Sequence, residues 1–271
     1  MARVHYAWVV AGVAFATLVA AAAFRAAPGP LMVPLHEDAD WSIATMSAAV
    51  SVNLVLYGLT APFAAALMER FGLRRVVGAG LVLIAAGAGL SVLAQAAWQL
   101  VFTWGVLIGL GTGSMALVFA ATVANAWFVK RRGLVMGILT AGGAAGQLVF
   151  LPLVAYLVET TSWVVASLLI AAAALAVLPL AVALLRDRPA DLGLAPYGGD
   201  RVIEPPTSRS NAAGAAVGAL RRAARTQAFW ALAGAFAICG ATTNGLIGIH
   251  FIPSAHDHGM ATTTAAGLLM M

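Results

Sequence analysis

Six apolar runs, each about as long as a bilayer is thick, limit what this chain can fold into. They are Tyr6 to about Ala27, Ser42 to Met68, Val76 to Ala97, Trp98 to about Trp127, Gly133 to Val158 and Trp163 to Leu185. Each is close to the roughly 20 apolar residues that one membrane crossing requires. Inside hydrocarbon every backbone N–H and C=O must be satisfied by the chain itself, which leaves helices or a closed barrel. No strand-like alternation competes, so the runs are predicted as six transmembrane helices, and the fold class as an all-α integral membrane bundle. Composition agrees: 62% of residues are apolar and 9% charged, where soluble domains carry about a quarter charged. A small-residue stretch at Ala20 to Ala23 resembles a signal-peptidase site. Its basic flank is only Arg3 and its apolar run is long, so the first helix is read as retained.

Arg186 to Arg225 breaks the pattern with Pro, Gly and charge (RDRPADLG, then EPPTSRSN). It reads as a linker, with a basic surface helix over Ala219 to Arg225. Phe229 to Ile252 is a seventh span, and Met260 to Met271 begins an eighth. The expected organisation is a six-helix bundle over 1–187, a central linker over 188–227 and the start of a second bundle over 228–271, with the sequence stopping within helix 8. Charge then sets orientation. Arg3, arginines 70, 74 and 75, the run Lys130-Arg131-Arg132 and seven arginines from Arg186 to Arg225 fall on alternate loops; the other loops hold Glu37, Asp38, Asp40, Glu159 and Asp257. The positive-inside rule places the N-terminus and the linker in the cytoplasm of an inner (plasma) membrane protein. The net charge of +5 thus reports topology, and no nucleic-acid partner is needed to explain it.

Arg25 breaks that rule, standing near the acidic end of the first run. Two readings stay open. Either the run ends at Ala27 and Arg25 snorkels to the headgroups, or the helix continues through Pro28-Gly29-Pro30 to Leu35 and Arg25 faces a polar cavity. Asn53, Tyr57, Asn125, Gln147 and Asn244 are further polar groups within spans. Each can simply hydrogen-bond a neighbouring helix; as a set with Arg25, and with His250, they are the candidate cavity lining. His256 and His258 have one Asp beside them and no further ligand, so a solvated turn is expected there and no metal. Cys239 is the single cysteine, which excludes an intrachain disulfide. The spans of the first half hold no Asp or Glu, so no buried-carboxylate proton relay is expected, and an unpaired arginine favours a small anionic solute. Glycines 105, 109, 111 and 113, with 137, 142, 143 and 146, form small-xxx-small faces for close packing. No paired carboxylates, nucleophile–base set or cofactor cradle lies at one depth, so neither an enzyme nor a cofactor is expected.

A short internal repeat points to two halves. Trp8 to Gly12 (WVVAG) matches Trp230 to Gly234 (WALAG); both are followed by Pro and a His-acid cluster, Pro34 with His36-Glu37-Asp38 and Pro253 with His256-Asp257. Between the second and third runs stands Leu67 to Arg75, LMERFGLRR. Six helices, a long linker, helix 1 repeated at helix 7 and a charged turn after helix 2 together resemble the major facilitator superfamily. That family's loop signature, Gly-x-x-x-Asp-Arg-x-Gly-x-Arg-Arg or Lys, is matched here by Ala65-x-x-x-Glu69-Arg70-Phe71-Gly72-Leu73-Arg74-Arg75. Ala replaces the first Gly, and Glu replaces Asp. Glu69, Arg70, Gly72, Arg74 and Arg75 are therefore read as a conformational latch. The acid pairs with nearby arginine to hold one bundle against the other, and Gly72 permits the turn.

Ala126 to Ile138 (AWFVKRRGLVMGI), then Ala141-Gly142-Gly143 and Pro152, resemble the helix 4 to 5 region of the monocarboxylate and oxalate/formate branch. Arg186 to Leu194 resembles the end of helix 6 in bacterial members. Helix 4 lacks the arginine and helix 5 the Gly-Pro signature of drug/proton antiporters. The resemblance implies secondary active transport of a monocarboxylate or other small organic anion by alternating access, with protons or a counter-substrate as coupling partner. The competing reading is a truncated or non-transporting membrane protein: a receptor, a scaffold or an inactive fragment.

Overall fold

The computed structural model describes residues 5–202 and 212–269, with the backbone alone at Ala212, Ala213, Ala215 and Asn244. Among these residues seven helices are long and apolar enough to cross a membrane. They are Tyr6–Glu37, Ile43–Phe71, Leu73–Ser91, Ala97–Trp127, Arg132–Thr160, Trp163–Leu184 and Gln227–Asp257, the first to seventh spans. An amphipathic linker helix, Ala212–Ala223, precedes the seventh span, and a short helix, Thr262–Leu269, follows it. The linker helix begins well before the predicted Ala219.

Helix starts are set by local side chains. Ser42 Oγ accepts from Thr45 N (3.1 Å) and Ser162 Oγ from Val165 N (3.3 Å), which occupies backbone donors that a helix start otherwise leaves free. The third span starts at Leu73 and stops at Ser91, against the predicted 76 to 97. Gly72 turns the chain within one residue, and the next helix is capped by Gln99 Oε1, which accepts from Gln95 N and Ala96 N. The first span does not end at Ala27. Leu31 N donates to Ala27 O (3.1 Å), and Pro28 and Pro30 sit at a helical junction where their missing N–H groups cost little. The helix runs on past Pro30, which is the longer of the two courses the sequence left open.

The first span packs on the fifth, the third on the sixth and the second on the fourth. Glycines make the last contact close. A Cβ at Gly105 would meet Ala49 O at 3.1 Å, at Gly109 the Asn53 backbone at 3.1 Å, and at Gly113 that of Tyr57 at 3.0 Å. The four-residue spacing puts all three on one face, as the small-residue pattern implied.

The two ends of the bundle differ. At the acidic end the first and seventh spans meet: a Cβ at Gly29 would lie 3.1 Å from Gly248 O. Gly29 precedes Pro34 by five residues and Gly248 precedes Pro253 by five, so equivalent positions of the repeat face each other. Ile252 is buried there with Ala26, Leu151, Ala155, Ala265 and Ala266, and Thr263 N donates to Glu159 Oε1 (2.8 Å). At the other end, the Gln227–Cys239 part of the seventh span has no buried residue.

Residues 186–199, read from sequence as open linker, are strapped across the basic end. Tyr197 N donates to Trp127 O (2.8 Å), and Tyr197 O accepts from Val129 N (3.0 Å) and Lys130 N (3.2 Å). The Tyr197 ring stands 5.6 to 5.8 Å from His5, Trp8 and Phe128.

Candidate functional site

The depth of Arg25 along its helix bears on its two readings. The first span has 32 residues, about 48 Å of helix, and its midpoint falls between Ala21 and Ala22. With that span centred in the bilayer, Arg25 is about 5 Å from the middle along the axis, inside a hydrocarbon half-thickness of about 15 Å. Snorkelling would have to cross about 10 Å of lipid tail. Arg25 is exposed, and its guanidinium carbon lies 5.4 Å from the centroid of the Tyr57 ring of the second span. That distance allows a cation–π attraction of about 0.5–2 kcal/mol, larger the less water surrounds it.

Tyr57 is the middle residue of the second span and Thr112 that of the fourth, so the groups around Arg25 share its depth. They line a small cleft of about 30 Å³ with Leu18, Ala21, Ala22, Met115 and Gly143. Phe24, next to Arg25, stands edge-on to buried Trp104 at 5.5 Å. Trp104 lies in a widened π-helical turn, Val101–Leu107, a feature frequent at functional sites. The volume of the cleft is about that of one or two water molecules, so beside the arginine and the Tyr57 and Thr112 hydroxyls it offers room for one small polar group. A larger cavity of about 230 Å³, lined by Trp8, Ala11, Gly12, Phe15, Val135, Ile138 and Leu139, offers no charge for an anion.

The other sequence candidates separate. Asn53 is buried and donates its Nδ2–H to Trp104 O (2.7 Å); its amide ties two helices and does not line the cleft. Gln147 is half-buried one turn beyond Gly143. Asn125 is exposed, thirteen residues beyond Thr112 on the fourth span, about 20 Å along the axis, and the fold does not bring it to Arg25. His250 is exposed on the seventh span, toward the acidic end. The side chain of Asn244 lies outside the described residues. Sequence reasoning missed Thr112 and Met115, which sit in a glycine-rich stretch and show nothing polar beyond one hydroxyl.

The charged turn has a different centre from the one expected. Gly72 has φ +90° and ψ 148°, a backbone region that essentially only glycine occupies. The Asp187 carboxylate, three residues past the end of the sixth span, fills the space beside it, and Oδ1 accepts from Arg74 N (2.9 Å). This acid caps the first turn of the third span, where a negative charge also suits the helix dipole. Glu69 is exposed, Arg70 lies over the Phe71 ring at 5.2 Å, and Arg74 and Arg75 are exposed. Among the described residues none of the four is held in an ion pair.

Fold and site define a class: a multi-pass helical membrane protein in which, among the described residues, one arginine within a span, Arg25, lines a small cleft. The profile of the Major Facilitator Superfamily matches residues 13–271, and the chain belongs to that family. Monocarboxylate transporter 11 of Mus musculus is 31% identical over 176 residues, 64% of this chain and 39% of the relative. Its Homo sapiens counterpart is 31% identical over 182 residues, 66% and 38%. An MFS-type transporter of Gibberella zeae is 31% identical over 113 residues, 42% and 25%. The chain therefore spans less than two fifths of the length of these curated relatives. Its family is one of transporters, not enzymes.

Proposed function

We propose that the full-length protein is a secondary transporter of small organic anions, monocarboxylates foremost, that works by alternating access. The observation that carries this reading is Arg25, held about 5 Å from the middle of its span and turned toward Tyr57 at 5.4 Å. A cation at that depth is costly unless an anion or a polar cavity offsets it. The names of the monocarboxylate relatives favour the same solute class. In this reading the solute's carboxylate binds Arg25, its body rests on Ala21, Ala22 and Met115, and protons or a counter-substrate drive the cycle. Residues 1–187 form the first bundle, 188–227 the cytoplasmic linker and 228–271 the start of the second bundle.

The packed acidic ends of the first and seventh spans support assigning this arrangement to the state closed outside. Glu69 then latches the cytoplasmic side in the opposite state, on a turn positioned by Gly72 and Asp187. The arginine-rich loops favour a cytoplasmic N-terminus and linker, in a protein of the plasma membrane. The test is uptake or exchange of radiolabelled small carboxylates in proteoliposomes of the full-length protein. Saturable uptake that Arg25→Ala abolishes is expected. Uptake unchanged by that substitution removes the anion role of Arg25.

A further inference from the structure

The linker helix Ala212–Ala223 is amphipathic and half uncovered. Val217, Leu220 and Ala224 recur at helical spacing, so they form one stripe, and the two larger residues are 50% and 42% exposed although the helix packs against the second span. Arg221 stands beside the stripe, Arg222 further round and Arg225 just past the helix end; all three are exposed. Just beyond, the chain makes a fixed corner into the seventh span. Thr226 Oγ1 donates to Ala223 O (2.7 Å) and accepts from Phe229 N (3.3 Å), while Trp230 Nε1–H donates to Ala224 O (2.9 Å).

This corner sets the height of the helix. Gln227 begins a span, so Ala224 to Thr226 lie at the membrane boundary, and Trp230, 64% exposed, sits where tryptophan is enriched at bilayer interfaces. A helix tied to that level with exposed Val, Leu and three arginines has the composition of one lying in the headgroup layer.

We propose that Ala212–Ala223 is a docking surface for the anionic lipid leaflet: Val217 and Leu220 enter the acyl boundary, and Arg221, Arg222 and Arg225 bind headgroup phosphates. Its sidedness rests on the cytoplasmic placement of the linker argued above; its lipid preference does not. Each arginine near an anionic surface contributes about a fivefold preference for the docked position, so the three together contribute on the order of a hundredfold, weakened by salt.

The test uses the full-length protein with its native cysteines, Cys239 among them, replaced by Ser and a nitroxide on Val217→Cys, in nanodiscs of phosphatidylcholine with or without phosphatidylglycerol. The label is expected to be accessible to oxygen and shielded from an aqueous nickel chelate in anionic discs. It is expected to move into water in neutral discs, and also on replacement of Arg221, Arg222 and Arg225 by Gln, but not by Lys. A label in water in the anionic discs overturns the proposal, as does a depth that ignores both lipid charge and the arginines. Nanodiscs expose both faces, so this result is independent of topology. An impermeant maleimide reacting at Val217→Cys on intact cells would instead refute the cytoplasmic placement and leave the lipid preference standing.

Discussion

Gly72→Ala probes the charged turn most sharply, because two separable costs meet there. At φ +90° and ψ 148° an alanine is strained by about 1–3 kcal/mol. Its Cβ would also overlap the Asp187 carboxylate, with Oδ1 at 2.9 Å, and displace it from Arg74 N. That bond is a helix cap at an exposed site, and losing such a cap costs about 1 kcal/mol. The sum is about 2–4 kcal/mol. Asp187→Ala alone removes the cap but leaves glycine unstrained, so about 1 kcal/mol is expected. In the double variant the new Cβ has room and the cap is already gone. The double loss should therefore fall short of the summed single losses by about 1 kcal/mol. Reversible unfolding in detergent of the four proteins measures all three terms. Strict additivity, or a Gly72→Ala loss below about 0.5 kcal/mol, would refute the geometry of the turn.

Three further outcomes follow from the same structure. If Glu69 is the latch proposed above, Glu69→Gln should lower the transport rate in proteoliposomes more than substrate affinity; an unchanged rate leaves the turn as topology alone. Gly109→Ala should destabilise by about 1–3 kcal/mol, because its Cβ meets the Asn53 backbone at 3.1 Å, whereas Gly137→Ala, with nothing within 4 Å, should be neutral in the same detergent unfolding assay. Asn53→Ala should cost about 0.6–1.7 kcal/mol, the range for interhelical hydrogen bonds in membranes, and leave carboxylate affinity unchanged; a tenfold affinity loss would return Asn53 to the cleft.

Much of the fold was legible because hydropathy is a local property: the spans follow from runs of 20 or more apolar residues, whatever they pack against. Boundaries were less legible where turn chemistry intervened. Pro28 and Pro30 look like a stop, yet at a helix junction they leave Tyr6–Glu37 continuous, and that continuity is what puts Arg25 at mid-depth. Polar residues inside spans could be found but not sorted. Asn53 and Tyr57 lie one turn apart on the same helix, and only the position of Trp104 O, offered by a π-helical turn, assigns the first to packing and leaves the second to the cleft. Asp187 and Gly72 are 115 positions apart, and the Tyr197 strap depends on two loops meeting; neither contact has a local signature.

The central claim is that Arg25 recognises negative charge. Equilibrium binding of a radiolabelled monocarboxylate and of its uncharged amide to the purified full-length protein tests it directly, in wild type and in Arg25→Gln. A hydrogen bond between charged partners contributes about 1.5–3 kcal/mol, so the wild type should prefer the carboxylate by roughly 10- to 150-fold and the variant should bind the two about equally. A preference for the carboxylate that survives in Arg25→Gln would contradict the account.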